Sequence, residues 1–269
     1  GGLTAAAGRG AGAGGGHRLV FVLCENPPGT LLGYRGCLKT GEVPLLLDAH
    51  IAPELLRGLL ETYRPAFVHV PGDLPAETGR VLGGFVPALE VEDSVLLRRP
   101  GGQGPELHPG LALLLTTSGS TGSPKLVRLS GRNLDANTRS IVEYLELEEG
   151  QRPVTNLAMS YSSGMSIVNT HLLAGAALVL TRRSVLERPF WELVERERVT
   201  SLAGVPHTYR MYRRAGRVEM ELPALHTPTP AGGTLPAALP PEFADWEARA
   251  GRPFSSMVRQ HPAGPRLGP

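Results

Sequence analysis

The sequence predicts an α/β fold of mostly parallel sheets flanked by helices. Three observations predict it. Short apolar runs alternate with segments of helical spacing along most of the chain. The runs are continuously apolar, as in strands covered on both faces. The segment between successive runs is often long enough for a helix, the crossover that parallel neighbours need.

In order, "RLVFVLCE" reads as a buried strand and "GTLLGYRGCLKTG" as a helix that ends on glycine. "VPLLLDA" and "AFVHVP" are further strands, with the helix "APELLRGLLETYR" between them. Within residues 72–110, "LEVEDSVLLRR" is expected as one antiparallel strand and "PGGQGPELHPG" as a loop. "LALLLTT" and "KLVRLS" are strands on either side of "TTSGSTGSPK". A helix then starts from a Ser130 cap in "SGRNLDANTRSIVEYLEL". The strand "PVTNLAM", the helix "SGMSIVNTHLLAGA", the strand "ALVLTR", the helix "PFWELVERERV", the strand "SLAGV" and the helix "PHTYRMYRRAG" complete the series. The prediction is two βα arrays, residues 17–100 and 111–225. Beyond Glu221 the chain is rich in proline, with one amphipathic helix expected in "PEFADWEARAG". Residues 1–16 are a Gly/Ala-rich tail expected to be disordered, residues 17–250 the folded domain, and residues 251–269 an irregular end.

Composition narrows the function classes. Hydrophobic residues make up 41% of the 269, enough for a sizeable core. The formal net charge of +2 offers no basic face for nucleic acid or an anionic membrane. Cys24 and Cys37 suffice for neither a disulfide framework nor a zinc site, which favours a reducing, cytoplasmic setting. No apolar run approaches the ~20 residues of a membrane span, and the start lacks the apolar middle of a signal peptide.

The chemistry concentrates in "TTSGSTGSPK". Thr117, Ser118, Ser120 and Thr121 offer hydroxyl donors. Gly119 and Gly122 let backbone N–H groups approach an anion without a Cβ in the way. Pro124 stiffens the exit, and Lys125 brings a point charge to phosphate oxygens. A linker between domains does not sit between two buried strands. The lysine is followed by Leu126 and a strand, so this is not the GxxxxGK[ST] loop that opens a helix, and GxGxxG is absent as well. Ser160, Ser162 and Ser163 in "SYSSG" do not form the GxSxG nucleophile elbow, and acyl-pocket or helix-cap roles suit them better. His171 reads as an internal packing residue, Trp191 and Trp246 as core anchors, and the charges of "ERERV" as a solvated face.

These ten residues resemble the phosphate-binding loop of the adenylate-forming (AMP-dependent synthetase/ligase) superfamily: acyl-CoA synthetases, luciferases and carrier-loading adenylation domains. "LGYRGCLKTGEVPLLLD", "NLAMSYSSGMSIVNTHLLAGAALVL", "TSLAGVPHTYRMYRR" and "PALHTPTPAGGTLP" look like further segments of that family, from about Arg18 to about Gly251. The resemblance implies an AMP-forming acid–thiol ligase of the acyl-CoA synthetase kind, acting on a fatty or other carboxylic acid. It implies ATP held by Thr117, Ser118, Gly119, Ser120, Thr121, Gly122 and Lys125, with Mg2+ bridging the phosphates and no protein metal ligand assigned. It places Gly232 and Gly233 against adenine, and Tyr161, Ser162, Gly164 and His207 at the acid. The thiol would belong to coenzyme A or to the pantetheine of an acyl carrier protein.

One family motif is missing. Where "YGxTE" is expected after the paired glycines, the chain reads "SMVRQHPAGPR", and no later ribose-binding aspartate or catalytic lysine follows. The resemblance therefore implies an incomplete large domain, inactive alone and with uncovered apolar surface, with no catalytic residue assigned. Two origins fit: a stand-alone fragment and a frame-shifted gene product. Two further functions stay open: a catalytically dead nucleotide- or partner-binding module, and a carrier-protein-loading adenylation unit.

Overall fold

A computed structural model describes residues 17–101, 104–116, 125–204, 207–208, 211–212, 222–225 and 227–230. The expected tail, the helix around Trp246 and the irregular end lie outside these residues. The chain divides into two compact units, residues 1–148 with 158–175, and residues 149–157 with 176–269.

The first unit opens with β1 (Leu19–Cys24), α1 (Pro28–Thr40), β2 (Val43–Asp48), α2 (Pro53–Tyr63), β3 (Phe67–Pro71) and α3 (Ala76–Val81). It continues with β4 (Val86–Val91), β5 (Ser94–Arg98), β6 (Leu111–Thr116), β7 (Leu126–Ser130) and α4 (Gly131–Tyr144), and includes α5 (Ser162–Ala174). One seven-stranded sheet runs in the order β4-β5-β3-β1-β2-β6-β7. Its centre, β3-β1-β2-β6, is parallel. Its flanks, β4-β5 and β7, are antiparallel. The central strands are buried along almost their whole length, as their uninterrupted apolar sequences require.

Local chemistry sets the helix ends. Pro28 and Pro53 stand in the first turns of α1 and α2, where a missing N–H costs nothing. Gly41 closes α1 at φ +81°, a left-handed conformation that glycine adopts freely. Ser130 caps α4 as expected. Its hydroxyl accepts from the Asn133 N–H, and Asn133 Oδ1 accepts from the Ser130 N–H.

The single antiparallel strand expected over "LEVEDSVLLRR" is a hairpin, β4 and β5. The chain turns at Glu92, which sits at φ +52°, a conformation its residue type does not announce. The boundary between the two expected arrays also moves, because β6, β7, α4 and α5 all belong to the first unit.

The second unit contains α6 (Arg188–Arg196), β8 (Ser201–Gly204) and β9 (Thr227–Pro230). "PVTNLAM" and "ALVLTR" are not full strands. A single bridge, Val154–Val179, joins them to each other, and a second, Pro153–Ser201, joins the first of them to β8. β9 pairs parallel with β8, within the stretch read from sequence only as rich in proline. Proline lacks the N–H a ladder needs, so this strand carries no sequence signal of its own. Trp191 anchors the core, as expected. It is 2% exposed, its Nε1–H donates to the Val185 carbonyl at 2.8 Å, and the Phe190 and Tyr212 rings meet it edge-on.

Candidate functional site

The site is assembled from strand ends. Thr116 and Leu126 are register partners across β6 and β7. Residues 117–125 are therefore the connection of an antiparallel hairpin, held at both ends by a ladder. Because β6 runs parallel to β2, β1 and β3, this connection leaves the sheet at the edge where those strands also end. That is the edge at which open α/β sheets bind ligands. Lys125 is exposed at the base of β7. Thr117, Ser118, Gly119, Ser120, Thr121 and Gly122 lie outside the described residues.

The same edge carries a cluster that sequence spacing left unassigned. Asp48 Oδ1, at the end of β2, accepts from the His50 N–H at 2.8 Å. The His50 ring lies 3.5 Å from that oxygen and 4.0 Å from Glu25 Oε1, just past the end of β1. The only signal for it was positional: acidic residues at the carboxyl ends of two adjacent strands.

α5 carries three of the predicted substrate residues. Tyr161 occupies its N-cap position and is 53% exposed, Ser162 opens the helix, and Gly164 is buried. Further along, Asn169 is buried and its Nδ2 donates to the Tyr34 hydroxyl at 2.9 Å. That bond fixes α5 to α1. Burial pushes the Tyr34 phenol up to about 12, so it stays neutral. His171 is internal, as expected. Its Nδ1 lies 2.9 Å from the Ile167 carbonyl, and burial holds it below the usual histidine range.

In the second unit, Gly204 and Pro230 are register partners at the ends of β8 and β9. His207, which is exposed, follows β8 in sequence. Gly232 and Gly233 follow β9 and lie outside the described residues. Two separately predicted groups thus come after the same end of one parallel pair.

The donor set of residues 117–125 fits a polyphosphate: hydroxyls, backbone N–H groups next to glycine, and one lysine. Among the described residues, no group of three or more His, Cys, Asp or Glu could hold a metal ion.

A family model for AMP-binding enzymes matches residues 4–257. The chain belongs to the AMP-binding enzyme family. Feruloyl-CoA synthase of an Amycolatopsis species is 29% identical over 248 residues, 88% of this chain and 48% of that protein. A dimodular nonribosomal peptide synthase of Bacillus subtilis is 24% identical over 179 residues, 64% of this chain and 7% of that protein. Among solved structures, apo MatB from Rhodopseudomonas palustris matches with a TM-score of 0.66 at 20% identity, covering 95% of this chain and 51% of that one. VinN with L-aspartate gives 0.64 at 21% identity, covering 87% and 60%. These neighbours share the fold of this chain. The chain spans about half the length of the feruloyl-CoA synthases it matches. No helix among the described residues is long and apolar enough to cross a membrane.

Proposed function

We propose that these residues supply the ATP-binding part of an AMP-forming acid–thiol ligase of the acyl-CoA synthetase kind. A carboxylate oxygen of the acid attacks the α-phosphorus of ATP, the bond to the β-phosphate oxygen breaks, and pyrophosphate leaves. A thiolate then attacks the acyl carbon, and AMP leaves with the mixed-anhydride oxygen. The protein works by positioning and by stabilising the charge that develops on phosphate oxygens.

The single observation that carries this reading is the ladder-closed connection 117–125 at the ligand-binding edge of the sheet, in a chain of this family. Thr117 to Gly122 and Lys125 would hold the β- and γ-phosphates, and Mg2+ would supply neutralisation of their charge. Gly232 and Gly233 lie against adenine. Tyr161, Ser162, Gly164 and His207 face the acid. The match to feruloyl-CoA synthase covers more of the chain, at higher identity, than the match to the nonribosomal peptide synthase, which favours coenzyme A as the thiol. An aryl or fatty acid is the substrate class, in a cytoplasmic setting. A carrier pantetheine is the second reading, supported by the peptide synthase match.

Two measurements test this. Calorimetry should detect ATP binding that Lys125→Ala weakens about tenfold, the loss of one charge-assisted contact. ATP binding unchanged in that variant would remove the loop assignment. ATP–pyrophosphate exchange with ferulate and a panel of fatty acids should be negligible for the 269-residue chain, which lacks "YGxTE". Robust exchange would show the chain active by itself.

A further inference from the structure

The first unit has a second polar cavity, at the sheet edge opposite the loop. It opens where β5 ends and β3 begins, with Phe67 paired to Arg98. Its volume is about 390 Å³, within the ordinary range of small-ligand sites. Three guanidinium groups line it: Arg57 on α2, Arg64 at the α2 C-cap, and Arg99 just after β5. A single carboxylate, Glu61, shares the lining.

Arg99 is held in place. Its Nε donates to the Pro65 carbonyl at 3.0 Å, and its Nη2 approaches the Leu60 carbonyl at 3.4 Å. Its guanidinium lies 4.7 Å from the centre of the Phe85 ring. A guanidinium has five N–H donors, so these contacts leave the outer ones available. Burial, then the Arg64 charge, lowers the Arg99 value from its ordinary one. Burial is the larger cause, and the single neighbouring charge of Arg64 adds to it. Closure of the α2 C-terminus accounts for Arg99, whose Nη2 points at a helix carbonyl. It does not account for Arg57 and Arg64, which are exposed and have no carboxylate within ion-pair distance among the described residues.

We propose that this cavity is a binding site for a phosphate group, free or carried by a small phosphorylated molecule. A dianionic phosphate presents enough oxygens to accept from three guanidinium groups at once, whereas a monocarboxylate presents two. The cavity exceeds what phosphate alone needs, and Phe85 and Leu60 offer an apolar wall to an organic remainder. The cavity lies at the opposite edge from the loop and is a site separate from the proposed ATP site. The proposal does not depend on the adenylation chemistry.

The test is calorimetric titration of the whole chain with inorganic phosphate, glycerol phosphate and acetate at low ionic strength. The variants are Arg57→Gln/Arg64→Gln, the charge-keeping Arg57→Lys/Arg64→Lys, and Lys125→Ala. One component of phosphate binding should weaken at least tenfold in the double glutamine variant, return in part in the double lysine variant, and persist in Lys125→Ala, which affects only a component at the loop. Glycerol phosphate binding more tightly than phosphate would identify an esterified ligand, and equal binding a free one. Both replaced arginines are exposed, and a ligand-free melting curve checks that the variants fold. Phosphate binding that loses no component in the double glutamine variant, loses every component in Lys125→Ala, or is matched by acetate would overturn the proposal.

Discussion

His69 is the residue whose chemistry most constrains the first unit. It stands in the middle of β3, 1% exposed, and neither ring nitrogen has a hydrogen-bond partner among the described residues. Gly33 of α1 packs against it so closely that a Cβ there would fall 2.6 Å from the ring. Val22 of β1 and Leu96 of β5 flank it in the sheet. The charged group facing it is Asp93, which raises the value slightly. Burial dominates and pushes it down to about 4. The folded chain thus favours the neutral ring. Stability should be full above pH 6.5, the ordinary histidine value, and should fall as pH drops from 6.5 towards 4, where the unfolded chain binds the extra proton. The loss attributable to this residue is about 3 kcal/mol. Urea denaturation at a series of pH values checks it. His69→Leu should flatten the curve in that window, and an unchanged curve would assign the acid sensitivity elsewhere. Nothing in "AFVHVP" discloses this. The run reads as a buried strand, and only the approach of α1 makes the ring solitary.

At the scale of elements, legibility followed local chemistry. The Ser130 cap was readable because Ser and Asn at this spacing satisfy the first free N–H groups of a helix reciprocally. Ser130→Ala should therefore cost about 1 kcal/mol in chemical denaturation, with the loss of exchange protection confined to the first turn of α4. No effect would mean that packing alone holds that helix end. The central parallel strands were readable because both of their faces are covered. "PVTNLAM" and "ALVLTR" were misread as full strands for the reason that made those strands plain, and "TPTP" was read only as part of a proline-rich stretch. In the second unit a neighbour decides strand pairing, and apolar content does not. "TPTP" forms β9 because β8 lies beside it, while two apolar runs make single bridges. The loop assignment at residues 117–125 rested on side-chain types, whereas the cluster of Glu25, Asp48 and His50 is made of adjacency and left no such signal.

The whole molecule is two units with separate cores. One core is built on β1, β2 and β3 and the other around Phe190, Trp191 and Tyr212. Trp191→Ala should cost about 3–5 kcal/mol as a large core truncation, read as lost amide protection in α6 and β8. Full protection there in the variant would mean that Trp191 is not the anchor its burial and ring contacts indicate.

The ladder between Thr116 and Leu126 has a further consequence. A loop pinned at both ends is a closed ring, and the entropy of closing it grows only with the logarithm of its length, about 0.6 kcal/mol for each doubling. The sheet is therefore nearly indifferent to how many residues lie between those two partners. Chain length in this stretch is free to vary, and insertions between those partners would cost the fold little.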